Sequence, residues 1–348
     1  MGARFSGARR RFLQSSATGA AGLAVSAAMP KKAFAGASQP WPAINPDIDN
    51  LRVVSCRDPN MVSADWEDII NFADMDAQND PANRDLIRAN MDEMAKVLAQ
   101  KSDAGDAWAT IFQKPGGADW SAKKAAIKVN CIAKNHPRLA LVEKVCDELN
   151  ALGIPYESIF LFDGCSNAYH LYDGYVGDKL PAGAQVSDRN SLLGGTERAD
   201  IPAPYTECTS AQCTAHIADG TIDILVNMAV NKGHSIGGKT TLTMKNHFGT
   251  FDPHPPDGAQ GDPHGNLDYV LSINKSDAIL GGAPPRQRLC IIDSLWGMVH
   301  GPSGTPNKNT YRIVMGTFGP AVDYFTVKKI REPEMAATHD AADVARFL

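Results

Sequence analysis

Residues 125–162 read AAIKVNCIAKNHPRLALVEKVCDELNALGIPYESIFLF, and these 38 positions decide the fold. Ala125–Asn130 is a short apolar run broken by one lysine, the pattern of a buried strand. Pro137 opens a helix over Arg138–Leu152, because its fixed φ and missing N–H suit the first turn. Gly153 closes it, since only glycine takes the left-handed position without strain. Ser158–Phe162 (SIFLF) is the next strand. Strand, helix and strand in about 38 residues have the length of a βαβ crossover, which predicts an α/β fold with a mostly parallel sheet flanked by helices. Two packed α/β subdomains are equally compatible with the length.

The same alternation runs outward from this unit. Leu51–Ser55, Thr221–Asn227, Leu289–Asp293 and Arg312–Met315 read as strands. Arg84–Gln100, with Met91, Met94, Val97 and Leu98 on one side, and Ala321–Arg331 read as helices. Residues 173–218 are rich in Gly, Pro, Ser and Thr and predict loops or an inserted hairpin. In open parallel sheets ligands bind beyond the carboxyl ends of the strands. Three polar clusters fall there: Asn130–His136, Asp163–Asn167 and Asn227–His234. One shared cleft is therefore expected.

The first 35 residues read as an address. Arg9-Arg10-Arg11-Phe12-Leu13 resembles the twin-arginine export signal, followed by an Ala/Gly-rich stretch and the A-x-A cleavage site Ala33-Phe34-Ala35. An ordinary secretory signal or an uncleaved anchor is the other reading, but the stretch is short and glycine-rich for a membrane span. The expectation is a periplasmic or otherwise exported protein, using the twin-arginine translocase as a partner during export and keeping no stable membrane span after cleavage. Because that route carries folded proteins, it raises the prior for a cofactor loaded beforehand. The expected organisation is 1–35 signal peptide, 36–119 an extension packing on the core, 120–335 the α/β domain, and 336–348 a tail.

The leader holds six of the 34 Lys+Arg and none of the 39 Asp+Glu, so the chain beyond it carries a formal charge of about −11. A surface of that sign disfavours nucleic acid as a partner. Seven cysteines are scattered, with no C-x-x-C-H and no closely spaced run of four, so neither haem nor an iron–sulfur cluster is expected. Cys131, Cys146 and Cys290 sit in apolar contexts and read as core residues. Cys208 and Cys213 read as a disulfide pair in an oxidising compartment, or as two metal ligands.

Chemistry concentrates in Asn231–Gly249, NKGHSIGGKTTLTMKNHFG, with three lysines, two histidines and four glycines. Lys232, Lys239, Lys245 and, from the first strand, Lys128 could cradle an anion, with Gly237 and Gly238 offering backbone N–H donors. Surface lysines are common, but Lys128 interrupts an apolar strand, where an unpaired ammonium would be costly. The segment is not a P-loop, although Gly237-Gly238-Lys239-Thr240 echoes its end. His234, His247, His254 and His264 could ligate a divalent transition metal with nearby aspartates, or each could be satisfied by a neighbouring carbonyl. Asp163 could bind a metal or a ribose, and Cys165 could be a helix-end nucleophile.

Residues from about 120 to 332 resemble the domain-of-unknown-function 362 (DUF 362) family. The features are the strand end Lys128-Val129-Asn130, His136-Pro137 opening a helix, Lys232-Gly233-His234, the threonine turn Thr240/Thr241, and Lys245-Asn246-His247-Phe248-Gly249. Ile292-Asp293 and the turn Gly301–Gly304 fit as well. Gly233 replaces a usual threonine, which predicts a looser turn. Gly319-Pro320-Ala321-Val322-Asp323 lacks the first acid of the family's C-terminal pattern. Some relatives carry a ferredoxin-like cluster domain, of which this chain shows no motif. His234–Lys239 is also similar, at shorter spacing, to the His…Ser-Gly-Gly-x-Lys segment of nickel-pincer lactate racemases, which implies a lysine-attached organometallic cofactor.

The expected site joins His234, Lys232 and Lys245 as catalytic groups. Lys128, Asn130, Gly237, Gly238, Lys239 and Asn246 hold a small anionic ligand. The expected function is an exported enzyme acting on such a ligand with a metal or organometallic cofactor. The alternative is a non-catalytic binding or maturation factor for a periplasmic redox system.

Overall fold

The structure is a computed structural model that describes residues 52–65, 79–132, 135–164, 167–205, 208–235, 239–253 and 265–337. The leader, Leu51, Cys165, Ser166, Gly237, Gly238, His254, His264 and most of the 336–348 tail lie outside these residues.

An eight-stranded sheet forms the centre. Its strands are β1 (Val53–Arg57), β2 (Ala125–Lys128), β3 (Ile159–Asp163), β4 (Gln185–Asp188), β7 (Ile224–Gly233), β8 (Thr240–Thr241), β9 (Gln287–Met298) and β10 (Lys308–Gly316). The order is β1-β10-β9-β7-β2-β3-β4, with β8 paired to β7. From β9 to β4 every neighbour is parallel. β10, following β9 through the loop 299–307, and β1 add an antiparallel flank. The region expected as loops or a hairpin holds β4 and the two-stranded pair β5 (Thr196–Asp200) and β6 (Ser210–Thr214).

Helices cover both faces. On one lie α1 (Pro81–Ala99), α2 (Ala104–Phe112), α3 (Leu139–Ala151) and α4 (Asn167–Tyr172). Asp80 caps α1 by accepting from Ala82 N, Pro81 occupies its first turn, and Gln100 ends it in the left-handed region. Ile87, Met91, Met94, Leu98, Trp108 and Phe112 pack against Ile127, Val129, Leu161 and Ile291 of the sheet. On the other face Phe162, Leu225 and Ala126 meet Tyr269 and Ile273 of α7 (Leu267–Lys275). There too Ala229, Ile292 and Val314 meet Val322 of α8 (Gly319–Thr326) and Ile330 of the π-helical turn Val327–Arg331. Two short helices complete the order before that point, α5 (Ala215–Ala218) and α6 (Thr243–Asn246), and α9 (Glu332–Met335) follows. No helix among the described residues is long and apolar enough to cross a membrane.

The chain runs β2, β3, β4 in one direction across the sheet, then returns to place β7 on the far side of β2. The order reverses between β2 and β7, the position in open α/β sheets beyond whose carboxyl ends ligands usually bind.

The Cys208–Cys213 disulfide is not formed. Cys213 is a free buried thiol on β6, opposite Glu197, with its pKa pushed up to about 12 by burial. Strand alternation turns it into the apolar cluster with Ala211 and Ile217.

Candidate functional site at the strand ends

Lys128 is the last residue of β2, and alternation turns it away from the face that takes Ile127. Its ammonium donates to Val129 O (2.7 Å), Asp163 Oδ1 (2.7 Å) and Asn246 Oδ1 (3.1 Å). An ammonium has three donors, so protein acceptors use all of them. Asp163 at the end of β3 is equally engaged. Its Oδ1 accepts from Gly164 N at 2.6 Å and its Oδ2 from Cys131 N at 2.7 Å. The costly lysine of the sequence thus finds its counterion one strand over, and Asp163 serves that pairing.

Asn246, the end of α6, is the hub. Its Nδ2 donates to Asn227 Oδ1 (2.8 Å) and Lys128 O (3.2 Å), while its Oδ1 accepts from Lys128 and from Asn130 Nδ2 (3.0 Å). Asn130 Oδ1 in turn accepts from Lys232 Nζ at 2.6 Å. Lys128, Asn246, Asn130 and Lys232 therefore form one hydrogen-bonded chain across the carboxyl ends of β2 and β7, with Lys128 1% and Lys232 0% exposed.

His234 follows directly on β7 and is buried. Its backbone N–H donates to Lys239 O at 3.1 Å. Lys239 is held at φ 54°, a left-handed conformation unusual for a side-chain-bearing residue. Lys245 is buried, with its ammonium 5.9 Å from the centre of the Phe248 ring.

His247 belongs to the same chain of polar groups from below. Its Nε2 lies 2.6 Å from Gln287 Oε1 and its Nδ1 3.0 Å from Thr250 Oγ1. The short contact assigns the proton to Nε2, leaving Nδ1 to accept from the threonine. Burial, helped by the nearby charge of Lys128, lowers its pKa to about 3, so the imidazole is neutral. Both ring nitrogens hold protein partners. Among the described residues no group of three or more His, Cys, Asp or Glu is placed to hold a metal; His254 and His264 lie outside them.

Two supports were not singled out from the sequence as parts of the site. Asp323 of α8 accepts from Thr243 N (2.8 Å), Thr243 Oγ1 (2.6 Å) and Met244 N (3.0 Å), fixing the start of the helix that carries Lys245 and Asn246. Burial raises its pKa to about 6 against the lowering effect of those bonds. Arg331, fully buried, donates to Asn231 Oδ1 (2.6 Å), Met298 O (3.1 Å) and Val299 O (3.0 Å), and desolvation lowers its pKa to about 10. It binds the ends of β7 and β9 together beside Lys232.

Two glycines set the spacing. A Cβ on Gly249 would meet Lys128 Cε, Asp163 Oδ1 (2.5 Å) and Gly164 N (2.7 Å). A Cβ on Gly233 would meet the carbonyl oxygen of Val299, with His300 Cα at 2.9 Å. Gly233 is thus a close approach of two backbones, where the sequence suggested a looser turn.

The model of the family described as "Domain of unknown function (DUF362)" matches residues 125–328. The chain belongs to the DUF362 family. The matched span begins at the first residue of β2 and ends inside the π turn, so it encloses the whole Lys128–Lys232 chain together with Asp163, Asn246 and Asp323. A search of curated proteins finds no match to the chain.

Proposed function

We propose that this DUF362 protein is exported by the twin-arginine route and acts as an enzyme on a small anion at the carboxyl ends of β2 and β7. One observation carries the reading: Lys128 and Lys232, on adjacent parallel strands, are joined through Asn246 and Asn130 at the point where the strand order reverses. In this reading Lys232, Lys245 and Lys239 hold the anion, with the backbone of Gly237 and Gly238 beside it. Asn130 and Asn246 orient it, and His234 moves a proton or ligates a metal loaded before export. Lys128, saturated by protein acceptors, positions Asn246 and lends its charge.

A second reading is a non-catalytic factor that holds a metal or anionic cofactor for a periplasmic redox partner. The saturation of Lys128 favours it, because a ligand there would find a finished scaffold and fewer groups to do chemistry.

Cell fractionation with wild type and Arg9→Lys/Arg10→Lys tests the export. Elemental analysis and intact mass of the exported protein test the cofactor. A stoichiometric metal or lysine adduct, lost in His234→Ala or Lys239→Ala, supports the enzyme. Metal-free, unmodified protein removes the loaded-cofactor part of the proposal.

A further inference from the structure

Three buried side chains of complementary chemistry meet at the strand ends. Lys128 on β2, Asp163 on β3 and Asn246 on α6 are 1%, 3% and 2% exposed. An amine beside a carboxyl group and a primary amide holds the parts of an acyl transfer. The amine is the nucleophile, the carboxylate its base and the amide carbon the electrophile.

The distances suit those roles. Lys128 Nζ is 2.7 Å from Asp163 Oδ1, within reach of direct proton transfer. The same Nζ is 3.1 Å from Asn246 Oδ1, so a C=O bond of about 1.23 Å puts it at most about 4.3 Å from Asn246 Cγ. An ammonium attacks nothing until it gives up a proton. Burial takes the hydration from both charges of the pair, and it excludes water as a competing nucleophile.

The amide carbon is also activated. Its oxygen accepts from Asn130 Nδ2 at 3.0 Å as well as from Lys128. Asn130 is polarised in turn, because its own oxygen accepts from Lys232 Nζ at 2.6 Å. Donors aimed at an oxygen that gains charge lower the barrier to attack at its carbon. The amide nitrogen is fixed on its other side, donating to Asn227 Oδ1 at 2.8 Å and to Lys128 O at 3.2 Å.

We propose that Lys128 and Asn246 join in an intramolecular isopeptide bond, with Asp163 as the base. Asp163 takes one proton from the Lys128 ammonium. The freed amine attacks Asn246 Cγ and forms the new C–N bond. A second proton of the amine passes to Asn246 Nδ2 as the Cγ–Nδ2 bond breaks, and ammonia leaves. One ammonium, one carboxylate and one primary amide thus become a secondary amide, a carboxylic acid and ammonia, with no oxidant or cofactor. The link joins β2 to α6 across 118 residues of chain and restricts the unfolded state as a disulfide does. In the linked form Lys128 holds Asn246 without lending charge, and Lys232 and Lys245 are left to meet the anion. The link and the strand-end anion can fail separately.

The test is a tryptic map and an intact mass of the full chain, folded and then aged at neutral pH for days. Trypsin does not cut at an acylated lysine, so a branched peptide joining residues 125–134 to residues 246–275 is expected. The chain is expected to be lighter by one ammonia. The branched peptide should be absent from chain kept unfolded in guanidinium and from Asp163→Asn. Wild type that yields separate peptides 125–128 and 246–275, with no branched product, overturns the proposal whether or not the variant folds. Loss of ammonia without the branched peptide assigns the loss to cyclisation of an asparagine on its own backbone, which also overturns it. A folded Asp163→Asn that still forms the link overturns the role of Asp163.

Discussion

The Nζ of Lys232 donates to the amide oxygen of Asn130 at 2.6 Å, and this bond ties the end of β7 to the end of β2 where the strand order reverses. Through Asn246 it reaches Lys128 and Asp163, so one polar chain spans three parallel strands. Its members have different duties. Lys128 and Asp163 form a closed ion pair inside the scaffold, whereas Lys232, with Lys245 and His234 nearby in sequence, is the side proposed to meet the anion.

Removing one member of the closed pair leaves the other charged and buried. Lys128→Met is expected to destabilise the fold by about 3–5 kcal/mol, measured by urea denaturation. Lys128→Met/Asp163→Asn is expected to recover a substantial part, because the orphaned carboxylate is gone. A double variant as unstable as the single would show that the Asp163 charge is not the source of the loss.

The close approaches at the two glycines give a steric prediction. Gly249→Ala pushes a methyl group into Asp163 and the backbone at Gly164, and Gly233→Thr pushes one into Val299. Each is expected to cost about 1–3 kcal/mol, the usual penalty of overpacking. Gly233→Thr is the sharper case, since it restores the residue type the family resemblance suggested. Unchanged melting of that variant would mean that the β7–Val299 approach is looser than described.

Acidification should weaken the protein, with a slope set by three buried groups. His136 and His247 have pKa values lowered by burial from 6.5 to about 3. Their contribution is complete above 6.5 and is lost as pH falls toward 3. Asp323, raised from 3.8 to about 6, acts oppositely: its contribution is present below 3.8 and is lost as pH rises through 6. Between about pH 4 and 6 the unfolded state holds two extra protons on the histidines and the folded state one on Asp323. The net of one proton predicts a loss of about 1.4 kcal/mol per pH unit on acidification from these groups. His247→Gln should flatten that slope, and Asp323→Asn should steepen it, as seen in denaturation midpoints from pH 4 to 7.

Arg331 is expected to act as a clamp. Its three hydrogen bonds join Asn231 of β7 to the chain at Met298 and Val299. Arg331→Met should cost about 2–4 kcal/mol: three charge-assisted hydrogen bonds of about 1.5–3 kcal/mol each are lost, the removed desolvation cost of the buried guanidinium offsets part of that, and the hydrophobic stem is kept. Hydrogen exchange should rise at residues 231–234 and 298–301. A variant with wild-type exchange there would deny Arg331 this role.

Much of the architecture was legible because its signals are local. Pro137, Gly153 and the apolar runs beside them place β2, α3 and β3 within a residue or two, and Lys128 declared itself as a lysine in a strand. What escaped reading depends on pairing between distant segments. The partner of Lys128 is 35 residues away at Asp163 and 118 away at Asn246, and no local pattern selects those two. Asp323 capping Thr243 joins segments 80 residues apart. Gly233 read as slack because a missing side chain says nothing about what approaches it. The continuation of β7 to Gly233 was missed because Asn227, Asn231 and Lys232 mimic a loop; their polar atoms are satisfied by Thr243, Gln287, Arg331, Ser294 and Asn130.

Native mass spectrometry of the exported protein, followed by denaturing mass measurement, tests the anion at the strand ends most directly. Wild type should carry a small non-covalent anion that leaves on denaturation, and folded Lys232→Met and Lys245→Met should lose it while Lys179→Met retains it. A wild-type spectrum at the bare chain mass, or an adduct unchanged in both variants, would contradict the assignment.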